Sequence, residues 1–279
     1  MSLINVSCEL HYRVTAPTSF LFNVAVALTA HQKVHEESFL LTPRCEYEVC
    51  NIGSEGNRVV SLRANVGDLT LQYRAKVMLQ PEVDDPPTIQ ETEHFQLPYE
   101  VLPYLNPSRY CESDRLNRLA LREFENVAPG YSRVATICDW THDRLDYVSG
   151  STDARTSACD VLVQRAGVCR DYAHLAITLC RALCIPARYV SGYAVGLTPP
   201  DFHGFFEAYL GSRWYLFDAT RMAPKNGLVR IGTGRDAADA SFANIIGAAT
   251  LKRMNVSAEE LTDEITEKPS GDQSAISTA

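Results

Sequence analysis

Hydrophobic and polar positions alternate along the first 80 residues, which is typical of β-strands. The alternation is clearest over residues 59–64 and 69–77, and the runs 4–14 and 20–28 are rich in β-branched and aromatic residues. Glycines and polar residues over positions 53–57 indicate a turn between two of these strands. Because no helical period occurs in this part of the chain, we predict an antiparallel, sandwich-like β domain over residues 1–80.

Six prolines within residues 81–107 change the character of the chain. Proline removes a backbone donor and fixes φ, so this stretch forms neither a long helix nor a central strand. We predict an ordered linker that lies along the protein surface.

Helical spacing of apolar residues follows, and it predicts helices over residues 113–126, 132–145, 156–164 and 168–183. The fourth helix is apolar nearly all round, so we expect it to be buried, and Pro186 ends it. Strand-like runs come next at 187–193, 205–210, 214–217 and 228–231. Helices followed by strands indicate an α+β domain, which we place at residues 108–256. The polar stretch 257–279 is predicted to be a disordered tail.

The composition of the chain argues against several classes of partner and cofactor. The 279 residues are 46% hydrophobic and carry a formal net charge of −8, without a basic cluster, which argues against a nucleic-acid or membrane-surface partner. We find neither a signal peptide nor an apolar run long enough to cross a bilayer, and we expect a cytoplasmic location. The nine cysteines form no CxxC pair, so we predict no metal site and no cofactor.

Three residues could form a cysteine-based catalytic site. Cys169 lies at the predicted start of the fourth helix, His203 comes 34 positions later, and Asp218 follows after 15 more. A helix N-terminus favours an anion such as a thiolate, and a histidine can act as base and then as acid to the leaving group. A carboxylate can orient the imidazole ring. We therefore predict Cys169, His203 and Asp218 as the catalytic residues.

An oxyanion hole needs two donors. The backbone N–H of Cys169 is the expected first donor, and Trp140 and Tyr147 are candidates for the second. Beside the cysteine, Arg170 adds positive charge and Asp171 opposes it.

Other motifs have simpler interpretations. His174 lies on the buried helix and is expected to be a hydrogen-bonded core residue. Residues 232–237 match G-x-G-x-x-A, but no doubly wound sheet surrounds them, so they do not predict dinucleotide binding. His31 and His35 are expected to be surface residues, since their segment is not helical.

The segments 167–175 and 185–193, the histidine motif with Glu207 and the Asp218-Ala219-Thr220 element resemble the transglutaminase-like superfamily of papain-type cysteine enzymes. Residues 152–156 and 234–239 resemble its bacterial branch, as does the β-rich first domain with Gly56-Asn57 between strands. The resemblance implies a papain-like core in which a helix bearing the cysteine packs on an antiparallel sheet. It also implies that Cys169 is the nucleophile.

Two departures from the family pattern flank the predicted triad. The family usually has Ala-Trp after the histidine, where this chain has Gly204-Phe205, and Ala219 replaces a common proline. Both leave the triad residue types intact but could alter the substrate groove.

The resemblance implies acyl transfer on amide bonds of a peptide or protein substrate, through a Cys169 thioester. Water as acceptor makes the protein a protease or amidase, and an amine makes it a transglutaminase. The sequence lacks a dense acidic cluster like the calcium sites of animal transglutaminases, which favours hydrolysis. Two alternatives stay open: a catalytically silent binding module with the same fold, and a deglycosylating amidase similar to peptide N-glycanases.

Overall fold

The computed structural model describes residues 1–261 and 274–279, which form sixteen strands and four α-helices. The helices are α1 Ser113–Phe124, α2 Tyr131–Arg144, α3 Ala158–Gln164 and α4 Cys169–Ala182. The strands are β1 Ser2–Val14, β2 Thr18–Phe22, β3 Gln32–Thr42, β4 Tyr47–Ile52, β5 Asn57–Ala64, β6 Gly67–Leu79, β7 Glu82–Asp84, β8 Asp146–Tyr147, β9 Ala166–Gly167, β10 Ala187–Ala194, β11 Phe202–Leu210, β12 Arg213–Phe217, β13 Leu228–Gly234, β14 Ala243–Ile246, β15 Ala249–Leu261 and β16 Ala275–Ser277.

Two four-stranded antiparallel sheets build the N-terminal part of the molecule, in the orders β15-β1-β6-β3 and β14-β2-β5-β4. Every second residue of β1 is buried, as the alternation of the sequence predicts, and these side chains pack against those of β2 and β6. The rings of Tyr12, Phe20 and Phe22 lie 5.1–5.7 Å apart within this core. The predicted β-rich N-terminal domain is confirmed.

The apolar run 20–28 forms a strand only as far as Phe22. Its second half is a buried loop that contacts the neighbouring sheet, where the N–H of Ala27 donates to the carbonyl of Arg230 at 3.0 Å. Burial of this loop, and not strand formation, explains its hydrophobicity. The sequence pattern does not predict the strands β3 and β4. Most of their side chains are exposed on both faces, so hydrophobic and polar residues do not alternate along them.

The C-terminal strands differ most from the sequence prediction. The range 108–256 includes β14 and most of β15, yet these strands pair with β2 and β1 of the N-terminal sheets. The predicted disorder of 257–279 is wrong for residues 257–261, which continue β15, and for 274–279. Ala275 and Ile276 are buried, because β16 pairs with β7 of the linker and packs on β12. Residues 262–273 of the predicted tail lie outside the described residues.

The linker, residues 81–107, holds β7 and three short 3-10 turns at Pro86–Thr88, His94–Gln96 and Leu102–Leu105. A fourth such turn, Lys225–Gly227, precedes β13. No helix within residues 1–261 and 274–279 is long and apolar enough to cross a membrane.

A third antiparallel sheet, in the order β12-β11-β10-β13, forms the second part of the molecule together with the helices. The buried helix α4 packs on β10 and β11, and the other three helices pack around α4. This arrangement confirms the predicted α+β class, with the helix that bears the cysteine packed on an antiparallel sheet.

The N-terminal domain contacts β13, one of the two outer strands of that third sheet. The side-chain amide of Asn57 donates to the carbonyl of Thr233 at 2.7 Å and accepts from its N–H at 2.8 Å, as a neighbouring strand would. A Cβ on the preceding Gly56, whose φ is +72°, would lie 2.1 Å from the carbonyl oxygen of Leu28. Asn57 therefore links the two domains, and Gly56 allows the backbone to approach Leu28 closely within the N-terminal domain.

Candidate active site

Cys169 is the first residue of α4, so its backbone N–H is one of the donors that a helix leaves unsatisfied. The turn into the helix is held by Asp171, a fully buried residue whose Oδ2 accepts from the N–H of Val168 at 2.9 Å and from the hydroxyl of Thr152 at 2.6 Å. A Cβ on Gly167 would lie 2.7 Å from that of Asp171, so the glycine makes room for this fold-back.

Arg170 and Asp171 neutralise each other. The guanidinium of Arg170 donates to Oδ1 of Asp171 at 2.8 Å and to the carbonyl of Asp153 at 2.9 Å. Neither side chain therefore acts on the cysteine as a free charge. The opposite effects on Cys169 that the sequence predicts for these two charges cancel, because the two side chains form an ion pair.

His203 lies near the start of β11, and the structure brings it together with Asp218, which directly follows β12. The Nε2 of His203 lies 2.8 Å from Oδ2 of Asp218, and both side chains are almost wholly buried. The other carboxylate oxygen of Asp218 accepts from the backbone N–H of Thr220 at 2.9 Å and from its hydroxyl at 2.7 Å. Thr220 thus fixes the carboxylate that fixes the histidine, a role that the sequence motif did not assign.

The remaining ring nitrogen of His203, Nδ1, is buried and makes no hydrogen bond within the described part of the chain. Cys169 lies beside this histidine, and its Sγ is 4.0 Å from the carbonyl oxygen of Phe202. Nδ1 is therefore the nitrogen free to exchange a proton with the thiol.

The electrostatics of the pair favour a protonated histidine. Burial by itself would lower the pKa of His203, but the charge and hydrogen bond of Asp218, together with the adjacent Cys169, outweigh it and raise this pKa to about 10. Burial likewise tends to raise the pKa of Asp218, but His203 and Thr220 bring it below its ordinary value. Near neutral pH the arrangement is therefore an imidazolium held by a carboxylate.

Of the two candidate oxyanion donors, the structure places only Tyr147 at the site. Its short strand β8 pairs with β9, with Tyr147 opposite Gly167, which brings the residue next to Cys169. Burial raises the pKa of the Tyr147 hydroxyl, and both the thiol and the backbone N–H of Cys169 act on it.

Trp140 lies elsewhere, so its prediction is wrong. The indole N–H donates to Glu123 of α1 at 3.0 Å, and the ring packs under the guanidinium of Arg144. The spacing of apolar residues in α2 predicts that one face of the helix is buried. It does not predict which other element packs against that face.

The departure at Gly204 has a structural explanation. A Cβ there would lie 2.5 Å from the hydroxyl oxygen of Tyr189 and 3.2 Å from the backbone nitrogen of Arg170. The Tyr189 side chain thus fills the space of the missing methyl group, and α4 approaches β11 closely. Phe205 is buried and its ring lies 6.2 Å from that of His203, while Ala219 is buried and accepts from His142 through its carbonyl at 3.3 Å.

Glu207 is a structural residue. It lies fully buried between two arginines, with Oε2 at 2.7 Å from Nε of Arg188 and at 3.0 Å from Nη1 of Arg230. Burial works to raise the pKa of Glu207, yet the two arginines lower it to about 2. Arg188 also binds Glu55 of the N-terminal domain at 2.5 Å. This cluster ties β10, β11 and β13 together beneath the domain junction.

His174 has the core role that the sequence indicates. Its Nε2 accepts from the N–H of Ala237 at 3.0 Å, its ring stacks on that of Tyr110 at 5.0 Å, and burial lowers its pKa to about 3. In the adjoining loop, Asp236 accepts from the N–H of Tyr110 at 2.8 Å, so this part of the glycine motif supports the fold. Among the described residues, no cluster of three or more His, Cys, Asp or Glu is placed to hold a metal ion.

Comparisons with known proteins agree with this architecture. A sequence profile of the transglutaminase-like superfamily matches residues 118–219, and one of the bacterial transglutaminase N-terminal domain matches residues 2–98. A crystal structure of a proposed cysteine protease from Cytophaga hutchinsonii is 44% identical in sequence and superposes with a TM-score of 0.94. That similarity covers 99% of this chain and 97% of the other.

Two uncharacterized mycobacterial proteins are also similar over part of their length. The one from Mycobacterium leprae is 34% identical over 145 residues, which is 48% of this chain and 51% of that protein. The one from Mycobacterium tuberculosis is 35% identical over 96 residues, 34% of this chain and 30% of that protein. The match thus spans about half of the first protein and under a third of the second. With both profiles matched and a full-length relative at 44% identity, the chain belongs to the transglutaminase-like superfamily, with a bacterial transglutaminase N-terminal domain.

Proposed function

We propose that the protein is a cysteine-dependent acyl-transfer enzyme that acts on amide bonds of peptides or proteins, with hydrolysis as its main reaction. One observation carries the proposal: His203 is buried between Asp218 and Cys169, with one ring nitrogen bound to the carboxylate and the other unpaired beside the thiol. A core histidine would satisfy both ring nitrogens or remain neutral. This one is held as an imidazolium next to a sulfur.

In the resting pair the proton of Cys169 is already on Nδ1 of His203, so the reaction starts from a thiolate beside an imidazolium. In the first half-reaction, the sulfur of this thiolate forms a bond to the amide carbon. The carbonyl π electrons move to oxygen, where the N–H of Cys169 and the hydroxyl of Tyr147 stabilise the oxyanion. The C–N bond then breaks, and the imidazolium proton passes to the leaving nitrogen. A thioester on Cys169 and a free amine result.

In the second half-reaction, His203 takes a proton from the acceptor, and the acceptor attacks the thioester carbon. Water yields a carboxylic acid and an amine yields a new amide, while the sulfur leaves as a thiolate and the proton taken from the acceptor stays on His203, which restores the starting pair. Asp218 keeps its charge throughout and holds the ring in place. The chemistry of the site allows either acceptor, so their relative rates distinguish a hydrolase from a transferase.

The two departures from the family pattern do not favour a silent module. The hydroxyl of Tyr189 compensates for Gly204, and Phe205 and Ala219 are packed in the core. Neither departure moves His203 away from Asp218, which lies at 2.8 Å.

The test is a library of peptides and glycopeptides incubated with the wild type and with Cys169→Ala, with and without an added primary amine. We expect cleavage by the wild type only, with a minor share of amide product when the amine is present. Cys184→Ala is the matched control, because Cys184 is an exposed cysteine that lies just beyond the C-terminal end of α4, whereas Cys169 begins this helix. Equal turnover by wild type and Cys169→Ala contradicts the proposal, and release of glycan alone would identify a deglycosylating amidase.

A further inference from the structure

Asp201 is an exposed residue two positions before His203 and has no role in the chemistry above. It precedes Phe202, whose carbonyl oxygen is 4.0 Å from Sγ of Cys169. The charge of Asp201 acts on both His203 and Tyr147, which each interact with Cys169. The carboxylate thus lies within electrostatic range of both groups that flank the nucleophile.

One oxygen of this carboxylate is engaged and the other is available. Its Oδ1 accepts from the N–H of Phe202 at 2.7 Å, which fixes the orientation of the side chain. Among residues 1–261 and 274–279, no Lys, Arg or His is in ion-pair contact with Asp201, which is exposed. Arg170, a nearby cation on α4, is engaged by Asp171 and by the carbonyl of Asp153.

The position of Asp201 also indicates which side of the scissile bond it would meet. His203 protonates the leaving nitrogen, so the leaving group lies on the histidine side of Cys169. The oxyanion is directed toward Tyr147 and the N–H of Cys169. Asp201 is adjacent in sequence to the strand that carries His203, and its charge acts on this imidazole.

We propose that Asp201 is a specificity-determining residue that selects substrates with a positive charge on the leaving-group side of the scissile amide, such as a Lys or Arg side chain. This inference rests on the proposed function and adds a substrate class to it. By microscopic reversibility, an acyl acceptor enters where the leaving group departs, so cationic acceptors are favoured over neutral ones by the same carboxylate.

The experiment uses one cleaved peptide from the library in three versions, with Lys, norleucine or Glu on the leaving-group side. A fourth substrate joins the same acyl part to aminomethylcoumarin, an uncharged leaving group. For the wild type, we expect kcat/KM for Lys to exceed that for norleucine about two- to fivefold, the range of a partly exposed ion pair. The preference should shrink at about 0.5 M salt, because added ions screen such a pair.

Asp201→Asn keeps the Oδ1 acceptor for Phe202 and removes only the charge, so it should abolish the preference while retaining Cys169-dependent coumarin release. Asp201→Lys should reverse the preference toward Glu. Asp68→Asn is the matched control, since Asp68 is exposed and pairs with Arg13 of the N-terminal sheet. An unchanged ratio of Lys to norleucine in both Asp201 variants refutes this inference while leaving the proposed function intact. Absence of any Cys169-dependent cleavage overturns both.

Discussion

Replacement of Asp218 by Asn should convert His203 from an imidazolium to a neutral ring at neutral pH. With a pKa of about 10, the protonated form of His203 outnumbers the neutral form by about 300 to 1 at pH 7.5. Asn retains the size of the side chain but not its charge, so burial then dominates and brings the pKa of His203 to its ordinary value of about 6.5 or lower. At pH 7.5 the protonated fraction falls to about 10% or less.

Alkylation of Cys169 measures this change. Iodoacetate is an anion that a neighbouring imidazolium attracts, whereas iodoacetamide is neutral, so the ratio of their rates reports the charge of His203. In the wild type we expect the ratio to stay constant from neutral pH until it falls near pH 10, and in Asp218→Asn to fall near or below pH 6.5. Peptide mapping separates Cys169 from the exposed Cys50 and Cys184, which serve as internal references.

The same pKa shift has a consequence for stability. Because the pKa of His203 is raised in the folded state, the stabilisation is complete below about pH 6.5 and is lost as pH rises toward 10. The difference in unfolding free energy between wild type and Asp218→Asn should therefore shrink over this window. Identical reagent ratios and identical pH dependence in the two proteins would refute the reasoning that Asp218 keeps His203 charged.

Three further substitutions test the architecture around the site. Glu207→Gln leaves the buried Arg230 without a counter-charge and Arg188 with Glu55 alone, and it should destabilise the protein by about 3–5 kcal/mol in urea unfolding. Gly204→Ala places a methyl group against the Tyr189 hydroxyl and should lower the free energy of unfolding by about 1–3 kcal/mol. Adding Tyr189→Phe, which removes that hydroxyl, should recover part of this stability in the double variant. Asn57→Ala leaves the buried backbone groups of Thr233 unpaired and should lower stability by about 1–3 kcal/mol, measured by thermal or urea unfolding.

The sequence predicts those elements whose burial is set by a single periodic face. The helix α4 is apolar on most faces, and its predicted start lies within one residue of the observed one. The strand β1 alternates over nearly its whole length. By contrast, β3 carries exposed polar residues on both faces, and its pairing with β6 joins segments about 40 residues apart. No local pattern encodes such a pairing, and the same holds for β15 on β1.

The candidate site divides in the same way. The residue types and spacing around Cys169, His203 and Asp218 point to cysteine chemistry, but their supports come from tertiary contacts. The hydroxyl of Tyr189 fills the space left by Gly204, and Arg188 and Arg230 enclose Glu207 from two other strands. Polar residues within apolar strand runs are the one signal that could have marked this cluster in advance.

The thioester on Cys169 is the central claim, and intact-mass analysis of rapidly quenched reactions tests it most directly. A cleaved peptide or its coumarin amide is mixed with enzyme, stopped in acid within one turnover, and the acylated residue is located by peptide mapping. We predict an adduct with the mass of the acyl part on Cys169, absent in Cys169→Ala and removed by hydroxylamine. Turnover without any adduct on Cys169, or an adduct on another cysteine with undiminished activity of Cys169→Ala, would contradict the account.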